Sequence, residues 1–265
     1  MNAKEFRRRR QMSDLVDVVA IEEFTTAHGT PELPSVAIVI AAYKERASIE
    51  TVLAAMPHHL CGLAAAVIVV IDGEEDGSAA AIRAHGDYAV IASVNRGQGA
   101  ALRLGYLVAR TFGATYIVTA DADGQTDPND LEIVLSPVVE GNADFVNGSR
   151  RLGRTESRDI VRNLGVIVFA LIISLLMKTR VTDTANPIRA MRAELTGRLT
   201  LDEPQFQASE LLISAIATGG RFTERPVTMK QRVAGSSKKG GNLSYGKNYA
   251  RVVFRTWNRE RKVQR

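Results

Sequence analysis

Four short runs in the first half of the chain are apolar at almost every position: Val36–Ala41, Val67–Ile71, Ala89–Val94 and Tyr116–Ala120. A strand with one wet face alternates apolar and polar residues. These runs do not, so each must be covered on both faces. Between them lie stretches with helical spacing: Ala47–Met56, Ser78–His85 and Ala100–Phe112. Strand and helix therefore alternate, which predicts an α/β fold: a mixed, mostly parallel sheet flanked by helices. A further helix should open at Asp127-Pro128, with Asp127 as cap, Pro128 in the first position and Asp130 in the first turn. A strand is expected at Asp144–Asn147. In such sheets ligands sit beyond the carboxyl ends of the strands, so the residues that follow each run are where chemistry is expected.

The flanks read differently. Residues 1–34 form an N-terminal helical extension, with Leu15, Val18, Val19 and Phe24 at helical spacing and Pro31 and Pro34 closing it. Arg7–Arg10 is followed by no apolar stretch, unlike a secretory leader. Residues 35–150 carry the alternating pattern and are expected to hold the ligand. Residues 151–240 bring a long helix near Asp159–Met177, an irregular stretch Thr182–Ile188, a helix Ser209–Ala217, a strand Phe222–Val227 and a mobile glycine-rich loop at Gly235–Gly241. Residues 241–265 form a basic segment with a helix over Tyr245–Lys262 that carries Tyr249, Val252, Val253, Phe254 and Trp257. From Arg232 onward the only acid is Glu260, so cations concentrate at this end and suit phosphate, anionic lipid or nucleic acid. The apolar run Leu164–Met177 falls short of the ~20 residues that span a bilayer as a helix. It reads as a core helix, or as one lying in a membrane interface behind Arg150, Arg151, Arg154, Arg158 and Arg162. One cysteine, Cys61, excludes an internal disulfide and any Cys/His zinc spacing, which fits a cytoplasmic protein that touches at most the inner face of a membrane.

The strand ends share a character. The first run leads into Ala42-Tyr43-Lys44-Glu45, an aromatic and a carboxylate suited to a nucleobase. The second ends at Asp72, which can accept from a base N–H or a ribose hydroxyl, whereas Asp76 fits better as a cap for the next helix. The third leads into Asn95-Arg96-Gly97-Gln98-Gly99, where glycines permit close backbone approach and a helix start favours an anion. The fourth ends in Asp121-Ala122-Asp123-Gly124-Gln125. Two carboxylates so close beyond an apolar strand are costly unless a cation pairs with them, and their oxygens suit Mg²⁺ or Mn²⁺ shared with substrate phosphates.

The succession AIVIAAYKE, VVIDGEEDGS, NRGQGAALRLG, TADADGQTDP and VNGSR resembles the family-2 glycosyltransferases of the GT-A (Rossmann-like) fold, and within them the polyprenyl-phosphate sugar synthases. The resemblance runs from about Ser35 to Lys239. It implies that Ala42, Tyr43, Glu45 and Asp72 hold the base of a nucleotide-diphosphate sugar, with Gly97, Gly99 and Ala122 on the donor side. It implies that Asp121, Asp123 and Gln125 surround the metal and diphosphate, and that Gly148, Ser149, Arg150, Asn186 and Arg189 face the acceptor. Arg232, Ser236, Ser237, Lys238 and Lys239 lie in a segment similar to the family's R-x-x-G-x-S-K loop, whose cations neutralise a leaving diphosphate. The chain departs from the pattern at Ala41, at Asp72-Gly73-Glu74-Glu75, and at Asp183–Arg189, where the family reads DxxSGFR.

The resemblance also implies an acid about ninety positions after the Asp121–Asp123 pair, which makes Glu210 the candidate general base alongside Asp123, Arg232 and Lys238 as catalytic groups; the alternative for Glu210 is a first-turn acid that favours the helix dipole. A hydroxyl acceptor needs such a base; a phosphate acceptor is already ionised and does not. The expected activity is an inverting, metal-dependent transfer of a hexose or N-acetylhexosamine, UDP-linked by preference, to a polyprenyl phosphate. Transfer to the hydroxyl of a small soluble acceptor is the alternative, a nucleotidyltransferase a more distant one, and nucleic-acid binding the least expected.

Overall fold

The computed structural model describes residues 3–73, 76–156, 160–230 and 242–263. In chain order the elements are α1 (Ala3–His28), β1 (Val36–Ala42), α2 (Arg46–Ala55), β2 (His59–Leu60), β3 (Leu63–Asp72), α3 (Ser78–His85), β4 (Tyr88–Ala92), α4 (Gln98–Thr111), β5 (Tyr116–Asp121), α5 (Pro128–Val139), β6 (Phe145–Thr155), α6 (Ile160–Met177), β7 (Arg189–Arg192), α7 (Ala193–Arg198), α8 (Gln207–Ala217), β8 (Phe222–Met229) and α9 (Asn242–Val263). The sheet runs β4-β3-β1-β5-β7-β6-β8, with β2 turning back onto the start of β3. Every pairing is parallel except those of β2 and β7. This is the expected mixed, mostly parallel sheet between helices.

β1 is the axis. Val36 to Ile40 are wholly buried, and their side chains alternate between two cores, as the two-residue period of a strand requires. Ile38 and Ile40 join Val69, Ile71 and Val118 under α2, α3 and α5. Ala37 and Val39 join Val70 and Ile117 under α1, α4 and α8. α4 comes so near that Gly105 has no room for a side chain, since a Cβ there would overlap Val39 Cγ1 and stand 3.2 Å from Val70 Cγ2.

Local signals held where they rest on a named contact. Asp127 caps α5 by accepting from the Asn129 amide at 3.2 Å, with Pro128 in the first turn. Asp76 accepts from the Ser78 amide at the start of α3. The N-terminal segment is a docked helix, but its buried face is not the expected one. Leu15, Val18 and Val19 point outward, while Ala20 and Phe24 are buried and Phe24 packs among Tyr88, Phe112 and His28. β3 begins earlier than Val67, and β4 stops at Ala92, leaving Val94 exposed. β6 continues through Gly148-Ser149-Arg150 to Thr155 because β8 pairs alongside it. β2, β7 and α7 were not legible in advance.

Replacing Gly105 with Ala should lower stability by about 1–3 kcal/mol, because overpacking against Val39 outweighs the better helix propensity of Ala. Urea denaturation measures it, and an unchanged or raised midpoint would show that α4 does not sit this close.

Candidate active site

Parallel pairing in register brings the strand ends side by side. Ala41 of β1 lies opposite Asp121 of β5, Ala42 opposite Ile71 of β3, and Asp72 opposite Ala92 of β4. Beyond them opens a cleft of about 460 Å³. All the donor-side residues expected from sequence line it: Ala42, Tyr43, Glu45, Asp72, Gly97, Gly99, Asp121, Ala122 and Asp123.

Asp72 closes one wall. Its carboxylate accepts from the Arg96 amide at 3.0 and 3.2 Å and from the Gly97 amide at 2.7 Å. Burial pushes its pKa up, against the pull of those amides. The Arg96 guanidinium in turn meets Asp17 of α1 at 2.7 Å, both side chains being nearly buried. The N-terminal helix is thus tied by an ion pair to the turn that walls the cleft. The amides of both glycines of this turn are engaged within the protein, Gly97 by Asp72. Gly99 donates its amide to Pro204 O at 2.9 Å. A Cβ at Gly97 would meet the same oxygen at 2.5 Å, and one at Gly99 would stand 2.8 Å from Gln207 Cβ. The close approach that glycine permits is made by the chain itself, at residues 203–207.

The Asp121–Asp123 turn is fixed from three sides. Ser48 of α2 donates to Ala122 O at 2.9 Å, Gln98 of α4 donates to Asp121 Oδ1 at 3.1 Å, and Asp123 Oδ1 accepts from the Gln125 amide at 3.1 Å. Gln125 also lines the cleft, but its side-chain nitrogen is bound to Lys230 O at 2.9 Å, so it fastens the turn to the end of β8. Lys230 reinforces that seam through Asp127 at 3.1 Å. Among the described residues no third His, Cys, Asp or Glu completes a protein cage. Two hard oxygen donors with open positions suit Mg²⁺ or Mn²⁺, which keep waters and take phosphate oxygens, so Asp121 and Asp123 fit such an ion.

The acceptor side needs correction. Of Gly148, Ser149, Arg150, Asn186 and Arg189, only Arg189 lines the cleft. Arg150 forks onto Asp183 at 2.6 and 2.8 Å, with Asp183 fully buried. Ser149 pairs with Thr182, Gly148 is pressed against Val227 and Ile188, and Asn186 accepts from the Ile188 amide. With Glu224, which binds Thr182 and Asp183, they build the floor that supports the irregular stretch. Arg189 is 2% exposed; its Nε donates to Asn147 Oδ1 at 3.1 Å, and its Nη2 has no hydrogen-bond partner among the described residues.

Glu210 is also not where a base would stand. It is fully buried and absent from the cleft. Its oxygens accept from the Asp202 and Glu203 amides at 2.9 Å each and meet Arg259 of α9 at 2.9 Å. Burial pushes its pKa up, opposed by those amides and by Arg259. It pins the 202–203 segment and docks α9. Arg232 and Lys238, the remaining catalytic candidates, lie outside the described residues.

Sequence reasoning missed the groups that remote segments deliver: Gln98, Phe206, Gln207 and Tyr249. Tyr249 donates to Thr184 O at 2.9 Å and packs on Phe169 and Phe206. Its buried spacing with Val252, Val253 and Thr256 was the available signal, since that face of α9 had to pack on something.

Comparison with known proteins agrees with this geometry. The family model described as glycosyl transferase family 2 matches residues 37–199. An uncharacterized glycosyltransferase of Mycobacterium tuberculosis is 30% identical over 210 residues, covering 79% of this chain and 91% of its own length. A dolichyl-phosphate hexose transferase of Haloferax volcanii is 29% identical over 221 residues, covering 82% of this chain and 93% of its own. Among solved structures, glucosyl-3-phosphoglycerate synthase of M. tuberculosis, in complex with Mn²⁺, UDP and glucosyl-3-phosphoglycerate, matches with a TM-score of 0.65 over 86% of this chain and 80% of its own. At 18% identity that likeness is one of fold, and the fold is GT-A.

Glu210→Gln should lower the unfolding midpoint, because an amide cannot accept from two backbone N–H groups and Arg259 together. Turnover per folded molecule should stay within about twofold of the parent, as for a residue with no proton to take. A severe loss of rate with stability intact would restore Glu210 as the base.

Proposed function

The chain belongs to glycosyl transferase family 2 and is a glycosyltransferase, and from that premise we propose that it moves a hexose or N-acetylhexosamine from a UDP-linked donor to a polyprenyl phosphate, with inversion and with Mg²⁺ or Mn²⁺. The donor half follows from the strand ends. Tyr43 offers a face for the base, Glu45 a carboxylate beside it, and Asp72 keeps acceptor capacity beyond the amides it already holds. Asp121 and Asp123 hold the cation, which offsets the charge that grows on the leaving nucleoside diphosphate.

The acceptor half is carried by Arg189, a buried guanidinium of the cleft lining whose Nη2 makes no hydrogen bond among the described residues. Such a group calls for an anion, and a phosphate acceptor supplies one. The same acceptor makes a base unnecessary, in keeping with Glu210 being committed elsewhere. A phosphate oxygen attacks the anomeric carbon as the bond to the donor's β-phosphate breaks. The electron pair leaves with the nucleoside diphosphate, no proton moves, and one displacement inverts the centre.

The lipid nature of the acceptor is supported by α6. Leu164, Val168, Leu171 and Leu175 form one exposed apolar ridge, and exposed Lys178 and Arg180 follow it. Among the described residues no helix is long and apolar enough to cross a membrane, so contact with a bilayer would be made by a surface ridge of this kind. The H. volcanii relative bears the name of an enzyme of dolichyl phosphate.

The test compares a polyprenyl phosphate with the matching polyprenol and with soluble alcohols, in vesicles with 30 mol% anionic lipid (~30, a conventional surface charge for basic segments). Release of nucleoside diphosphate should require the lipid phosphate, and Arg189→Gln should cut it on the order of 100-fold while UDP binding holds. Equal turnover with an alcohol would contradict the phosphate acceptor and favour a hydroxyl-directed enzyme.

A further inference from the structure

Deep in the cleft wall, three buried polar side chains meet: Gln207, Tyr106 and Arg189. Gln207, the first residue of α8, is 3% exposed and lines the cleft, yet neither its amide nitrogen nor its oxygen makes a hydrogen bond of normal geometry among the described residues. Tyr106 of α4 lies beside it and in the field of Arg189. The Tyr106 hydroxyl interacts with the Gln207 side chain, but neither it nor Arg189 Nη2 makes a hydrogen bond of normal geometry among the described residues. Burial holds the phenol protonated, its pKa pushed up to about 12. Such groups are costly to bury without full hydrogen bonding, and Gln207 and Arg189 belong to the cleft lining, so the cluster points to a ligand.

The chemistry of the cluster selects among ligands. A phosphate offers acceptors only, and the Gln207 carbonyl oxygen would oppose it. A sugar hydroxyl both donates and accepts, which matches a carboxamide beside a phenol. The position agrees. Gln207 abuts Gly99, next to Gln98, which holds Asp121. It therefore lies near the diphosphate end of the cleft, where the transferred sugar must hang.

We propose that Gln207, backed by Tyr106, reads the hydroxyls of the transferred sugar and sets which epimer is accepted. This rests on the donor reading above. Arg189 supplies the charge at the same point and is left to the phosphate.

The test uses Gln207→Leu and Tyr106→Phe in the full chain, with UDP-glucose, UDP-galactose and UDP as probes, and with GDP, GDP-glucose and GDP-mannose alongside. Gln207→Leu should leave the melting temperature unchanged or raised, because it removes polar atoms that make no hydrogen bond of normal geometry among the described residues. It should leave the affinity for the free nucleoside diphosphate unchanged. Its kcat/KM for the preferred sugar nucleotide should fall ~10–100-fold, and the parent's preference between epimers should shrink towards unity. Tyr106→Phe should do the same by a smaller factor. A lowered melting temperature with the epimer preference intact would overturn the proposal and make Gln207 structural, and so would unchanged kinetics in both variants. If the parent protein binds none of the probes, the donor reading fails and this inference falls with it.

Discussion

The rest of the molecule follows from the burial of one sheet on both faces. Val36 to Ile40 are inaccessible from either side, and the neighbouring strands present the same apolar surfaces to the two cores. Along β1 and β3 a sheet so enclosed has no room for polar chemistry. Polar side chains are pushed to the strand ends, where parallel pairing lines them up on one edge. The cleft is the consequence: a base-sized wall at Tyr43 and Asp72, a pair of carboxylates at Asp121 and Asp123, and one buried cation at Arg189.

Charged residues in this protein divide by whether their partners are already supplied. Asp183 has Arg150, Glu210 has two amides and Arg259, and Asp17 has Arg96. These pairs fasten segments together: the irregular floor, the docking of α9, and the hold of α1 on the turn beyond β4. Arg189 Nη2 and the Gln207 carboxamide make no hydrogen bond of normal geometry among the described residues, and both residues line the cleft. That contrast supports the acceptor role proposed for Arg189 over the general-base role that the family's placing of an acid had implied for Glu210.

The donor half was legible because its signals are local. Each apolar run ends where its strand ends, so Tyr43, Asp72 and Asp121 could be placed on one edge from sequence alone. Gly97 and Gly99 announced a close approach, but glycine does not name the approaching partner, which proved to be residues 203–207. β7 was missed because four residues with Arg at both ends carry no apolar run; its strand state comes from β5 and β6 on either side. Glu210 and Gln207 stand three residues apart in the first turn of α8, and only the rotation of that helix decides which faces the cleft. α1 shows the same limit: its apolar Leu15, Val18 and Val19 face out, because Asp17 and Phe24 find their partners on the other side.

In the proposed reading Asp121 and Asp123 would hold a divalent cation beside a nucleoside diphosphate. Electron paramagnetic resonance of Mn²⁺ tests it without reference to any acceptor. The signal of hydrated Mn²⁺ should be lost on adding protein together with UDP or GDP, at one ion per chain, and should persist with Asp121→Asn or Asp123→Asn. Tight binding of the nucleotide that proceeds equally with chelator present, or in both variants, would contradict the account.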